Sequence, residues 1–126
     1  MLFRSKVALV TSGGVVPSDN PDRIETSNAT KYGVYSIAGK PRMDKEEFTS
    51  VHGGYDRQFV LEDPNIVVPL DAMRELEKEG AIGSLADYFI ATTGTGTATE
   101  SAKRFGENFS KKLLDDEVGA VILTST

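Results

Sequence analysis

The chain contains no cysteine and no tryptophan, a single histidine, and no long uninterrupted apolar run. Lacking cysteine, it can form no disulfide, offer no thiolate to a metal and use no cysteine nucleophile. With His52 as the only imidazole, a metal centre would have to be built from carboxylates, and none stand at ligand spacing. No stretch approaches the roughly 20 apolar residues that a membrane helix needs. Residues 1–6 lead directly into an apolar strand pattern without a signal-peptide core or cleavage site, so the expected address is cytoplasmic. Basic residues number 14 against 19 acidic ones, for a net charge of −5, and they form no cluster. Phosphate backbones are held by basic patches, so nucleic acid is not an expected partner.

What remains is the composition of a folded domain: 126 residues, 39% hydrophobic and 26% charged. That is enough chain for one core and not for two, so residues 1–126 are read as one domain. Apolar runs at 6–11, 87–91 and 119–124 read as three strands buried on both faces, the mark of a parallel sheet. Between the last two, Ala98, Ala102, Phe105, Phe109 and Leu113 recur at helical spacing. Thr97 and Glu100 stand as a capping box before that helix. A shorter helix is predicted from about Pro69 to Glu79, with Leu70, Met73 and Leu76 as its apolar stripe, a solvated charged face including Arg74 and Glu77, and Gly80 ending it. Residues 15–50 read as a long irregular excursion, with one short strand near 32–37 and one helical turn at 44–47.

Right-handed crossovers place the three strands parallel in the order second, first, third. The fold class is therefore α/β with three layers, like half of a doubly wound Rossmann or flavodoxin-like fold. In such sheets ligands sit beyond the carboxyl ends of the strands. Three segments meet there: Ser12, Gly13 and Gly14; Thr92, Thr93 and Gly94; and Thr124, Ser125 and Thr126. The glycine- and threonine-rich loop before the long helix suits a small anion, although it matches no nucleotide fingerprint. The segment HGGYD (52–56) carries an imidazole, a phenol and a carboxylate around two glycines. His52 and Asp56 are the acid/base candidates, with the carboxylate able to fix the imidazole tautomer, and Gly53, Gly54 and Tyr55 complete the candidate binding set. A plain hydrogen-bonded turn is the competing reading of the same five residues. Ser12 or Ser125 as an acyl- or phosphoryl-transfer nucleophile is a weaker reading, because no nucleophile-elbow motif is present.

Taken together, several blocks resemble component B of glycine/sarcosine/betaine reductase: GGVVP (13–17), NPD (20–22), HGGYD (52–56), EDPNIVVPLD (62–71), RELEKEG (74–80), TTG (92–94) and VILTST (121–126). The D-proline reductase selenoprotein subunit is a more distant cousin. The resemblance covers nearly the whole chain from Lys6 onward. It implies a selenocysteine just after the match to Thr126, followed by a nearby cysteine. It also implies a region ahead of this segment, and a UGA codon read as a stop as the origin of the chain's end. The implied activity is reductive cleavage of a C–N bond in glycine, sarcosine, betaine or a related carboxylate-bearing compound. A pyruvoyl group on a partner subunit would bind amine substrates, and other reductase-complex subunits are the implied partners. A chain without its selenocysteine is expected to be inactive alone, and a sheet without a covering helix to favour homo-oligomers. A non-catalytic module that binds a small anionic metabolite or a protein partner is the alternative.

Overall fold

A computed structural model describes residues 5–126; residues 1–4, read from sequence as the run into the first strand, lie outside the described residues. The first strand, β1 (Lys6–Thr11), alternates between two cores. Val7 and Leu9 face one and Ala8 and Val10 the other, all nearly sealed from solvent. A strand buried on both faces needs neighbours on both edges, and β1 has them. It pairs in parallel with β5 (Ser84–Ala91) on one side and β6 (Val118–Thr124) on the other. The expected order of second, first, third strand is therefore present.

A fourth strand, β3 (Gly33–Ser36), extends the sheet antiparallel beyond β5, giving the order β3-β5-β1-β6. The architecture is α/β with a mixed four-stranded sheet. The short strand anticipated near 32–37 is this edge. Its tight segment places Tyr35 at the core, against Phe89 with ring centroids 5.7 Å apart.

The excursion is more ordered than its composition implied. Val15–Pro17 (β2) and Phe48–Ser50 (β4) form a two-stranded antiparallel ladder. Ile24, Ala29, Ile37 and Met43 are buried between them in sequence. Residues 44–47 form a hydrogen-bonded turn, with Phe48 N–H donating to Asp44 O at 2.9 Å. A short helix, α1 (Gln58–Glu62), and a 3-10 turn at Pro64–Ile66 lead into α2 (Leu70–Lys78), so Pro69 precedes the helix instead of opening it. Leu70 and Met73 are buried, whereas Leu76 is half exposed. Gly80 ends the helix in the left-handed region at φ +73°, as expected of a C′ residue. The charged face of α2 is only partly solvated. Arg74 donates to the carbonyls of Ile37 and Lys40 at 2.8 Å each, and Glu77 accepts from Leu85 N–H at 2.9 Å. Those two side chains tie helix, excursion and sheet together.

Helix α3 (Thr99–Asp115) covers the opposite face through Leu113 and Phe109, so the three layers are present. Its capping box does not form. The Thr97 hydroxyl donates to Thr93 O at 2.6 Å, and the helix starts two residues later with no side-chain cap. The last strand departs further from expectation. β6 is not buried: its outer edge pairs with nothing among the described residues, and Val121, Ile122 and Leu123 are 39%, 37% and 72% exposed. An apolar run fixes the likelihood of a strand but carries no information on whether both sides find partners.

One buried amide pins the excursion. Asn65 accepts from Met43 N–H at 2.9 Å and donates to Met43 O at 2.9 Å and to Asp63 at 2.7 Å. Replacing Asn65 with Ala strands the Met43 peptide groups, and a loss of about 2–3 kcal/mol is expected in denaturant unfolding. An unchanged midpoint would show that the excursion is held elsewhere.

Candidate functional site

The carboxyl ends of β1, β5 and β6 open on the same edge, and the loop at residues 12–14 joins them. Its backbone is fully engaged. The amides of Ser12, Gly13 and Gly14 donate to Thr124 O, the Thr11 hydroxyl and Thr92 O, each at 3.0 Å. The Ser12 carbonyl accepts from Gly94 N–H at 2.9 Å, and that of Gly14 from Val51 N–H at 2.9 Å. The hydroxyls of Ser50 and Tyr55 converge on the Gly13 carbonyl, each at 3.0 Å. This loop therefore has no amide left to cradle an anion. It is a knot holding three strand ends and the HGGYD segment.

The predicted residues fall into two groups on either side of that knot. Ser12, Thr92, Gly94, Thr124 and Ser125 line a cavity of about 420 Å³ at the α3 side. Val10, Phe105, Phe109 and Leu123 supply its apolar wall, and no charged side chain lines it. Thr97, just ahead of α3, and Ala102 in its first turn complete that wall and were not among the sequence candidates. The capping pattern drew attention to Thr97 for a different reason.

His52, Gly53, Gly54, Tyr55 and Asp56 do not line the cavity; His52 packs against Gly14 and Tyr55 bonds to the Gly13 carbonyl on the other side. Gly14 has φ +70°, and a β-carbon there would stand 2.8 Å from both N and Cβ of His52. A β-carbon on Gly13 would stand 2.6 Å from Val67 Cγ1 and 3.3 Å from the Thr126 methyl, which places the end of the chain beside this segment. Thr93 is fully buried with its hydroxyl unpartnered.

Nδ1 of His52 accepts from Gly54 N–H at 2.9 Å. The Asp56 carboxylate accepts instead from Gln58 N–H at 3.0 Å and is exposed. The backbone, not the carboxylate, fixes the imidazole. His52 is 6% exposed, its ring centroid 4.8 Å from that of Tyr55. Ser50, which the sequence gave no reason to single out, is the partner that links Tyr55 to the loop; the two hydroxyls are 3.0 Å apart. Among the described residues no group of three or more His, Asp or Glu side chains is placed to hold a metal, and no helix is long and apolar enough to cross a membrane.

This is an α/β module in which the carboxyl ends of three parallel strands share one edge with a histidine segment locked against them. The family model described as glycine/sarcosine/betaine reductase selenoprotein B matches residues 1–126, and the chain belongs to that family. Over 125 residues it is 69% identical to the sarcosine reductase complex component B subunit beta of Peptoclostridium acidaminophilum, covering 99% of this chain and 29% of that protein. The glycine reductase complex component B subunit gamma of the same organism is 53% identical over 99% of this chain and 28% of its own length. The D-proline reductase subunit gamma of Acetoanaerobium sticklandii is 39% identical over 94% of this chain and 48% of its own. The chain thus spans under a third of the length of the component B relatives named here. No solved structure matches it.

Two outcomes follow from the geometry. Gly14→Ala combines a left-handed backbone with a clash against His52, and is expected to lower stability by about 1–3 kcal/mol or more in thermal unfolding. Burial holds the His52 pKa below the ordinary imidazole value. The unfolded chain takes up this proton near about pH 6.5, so the stability tied to the neutral ring is complete above that pH and lost as pH falls toward the folded-state value. The stability difference between wild type and His52→Phe should therefore shrink as pH drops through about 6.5, and a constant difference would contradict the assignment.

Proposed function

We propose that this chain forms the strand-edge portion of a component-B-type reductase subunit that works within a reductase complex. The reaction is reductive cleavage of the C–N bond of glycine, sarcosine, betaine or a related small carboxylate. The observation that carries this reading is the convergence of β1, β5 and β6 on one cavity, with the Thr124 carbonyl accepting from Ser12 N–H two residues before the position after which the family resemblance puts a selenocysteine. Doubly wound folds bind ligands at this kind of edge, and the fold is proposed to be half of one. What supports a selenol at this edge is that a β-carbon on Gly13 would stand 3.3 Å from the Thr126 methyl and 3.2 Å from the buried Thr11 hydroxyl, so the residue after Thr126 follows directly at the strand ends. A selenol there would supply a strong nucleophile that is ionised at neutral pH. This chain's residues bound the cavity, hold the strand ends in register and keep an imidazole next to them. The chain carries no thiol to move electrons, so alone it is proposed to be inactive. A cytoplasmic location and assembly with other complex subunits, including one bearing a pyruvoyl group, belong to the same proposal.

A second reading is a non-catalytic module for a small anionic metabolite. The observation in its favour is that α3 begins without a side-chain cap next to the cavity.

The test is reconstitution of the reductase complex with the selenocysteine-containing subunit carrying these residues. Ala102→Trp fills the cavity from the helix side. A drop in kcat/KM of about tenfold or more, with unfolding unchanged, is expected on all accepted substrates. Normal turnover in that variant would place the chemistry elsewhere. An inactive wild-type complex that still takes up acetate or phosphate would favour the second reading.

A further inference from the structure

We propose that β6 is an interior strand of the complete subunit: its outer edge takes a further parallel strand, apolar on both faces, from component B chain outside these 126 residues. This rests on the reading that the chain is part of such a subunit.

Free N–H and C=O groups along a sheet edge recruit other chains, so edge strands are normally short, charged, broken by proline or bulged. β6 has none of these protections where it is exposed. It runs for seven residues without a charge or a proline. Its register shift against β1 falls at Gly119, at the amino end and away from Val121, Ile122 and Leu123. At the other edge of the same sheet, β3 has only four residues, alternately buried and exposed.

The faces of β6 are as incomplete as its edge. Val121 and Leu123 pair with Ala8 and Val10 on the α3 side, and Ile122 pairs with Leu9 on the side of the excursion. Those three β1 residues are buried, whereas their β6 partners are 39%, 72% and 37% exposed. Both covering layers therefore reach β1 and stop short of β6. A neighbouring strand that brings its own covering layers completes the edge and both faces together.

A second copy of this chain does not meet that need. Two-fold pairing of β6 with β6 is antiparallel and joins two strands whose faces are equally bare. Further chain of the same subunit does meet it, and relatives carry such chain. The matched stretch is 29% of the sarcosine reductase component B subunit beta and 48% of the D-proline reductase subunit gamma. Strands β5, β1 and β6 already run parallel, and a parallel neighbour is covered on both sides, hence apolar on both. Its carboxyl end would open on the same edge as theirs. Leu123 lines the cavity there, so the added strand and the loop after it would supply the wall that leaves Leu123 exposed.

Hydrogen exchange on the selenocysteine-containing subunit carrying these residues, isolated from its partner subunits and run at two dilutions, tests this directly. The outward-facing amides of residues 120–123 should exchange within about tenfold of those of β1 at both dilutions. Exchange close to that of an unstructured chain would overturn the proposal. So would protection that appears only where sedimentation shows a dimer, or only after partner subunits are added. In the same subunit, Val121→p-benzoylphenylalanine should cross-link on illumination to a residue outside 1–126 of its own chain, with single-chain mobility on a denaturing gel. A cross-linked dimer, a link to another subunit, or no link beyond these residues would contradict it, as would a source gene encoding no chain beyond them. A reconstituted complex without turnover but with β6 protected would sink the reductase reading and leave this one standing.

Discussion

Buried peptide groups must find partners, and the loop at residues 12–14 meets that requirement with groups from four different segments. Thr124 from β6, Thr92 and Gly94 just beyond β5, Val51 beyond β4, and the hydroxyls of Ser50 and Tyr55 all bond to three consecutive residues. A β-carbon at 13 would press on Val67, and one at 14 on the backbone and Cβ of His52, so both positions need glycine. The edge of the sheet is therefore positioned by backbone geometry, and the placement of the cavity and of His52 follows from it.

That constraint divides the work at the edge. The α3 side is a cavity with an apolar wall and a hydroxyl rim, free of charge. The opposite side is a rigid histidine turn whose polar groups are nearly all spoken for. No basic side chain lines the cavity; its polar groups are hydroxyls and backbone. Named relatives of the family are subunits of reductase complexes.

The sequence made the sheet centre readable because β1 and β5 are apolar on both faces and α3 repeats Phe105, Phe109 and Leu113 at helical spacing. It also brought the right strand ends together. The β2–β4 ladder was not readable: each strand has three residues, and their pairing spans more than thirty residues with no local signal. The capping box failed because the helix starts at Thr99, which puts Ala98 at the cap, and the Thr97 hydroxyl oxygen accepts from Ala29 N–H instead, a contact set by tertiary structure. The same holds for the imidazole. Spacing offered Asp56 as its partner, whereas the turn brought the Gly54 amide closer. Exposure of β6 was invisible for a simpler reason, since hydrophobicity does not say which strand lies at an edge.

The central position of β1 has a kinetic consequence. Its residues pair with strands far along the chain, and Lys6 meets the carbonyl of Asp116 across 110 residues. Loop closure over such distances slows folding, because entropy is lost before the contacts are gained. During synthesis the first strand stays apolar on both faces without its second neighbour until more than a hundred further residues have been made. The nascent chain thus depends on protection from premature association until β6 is in place.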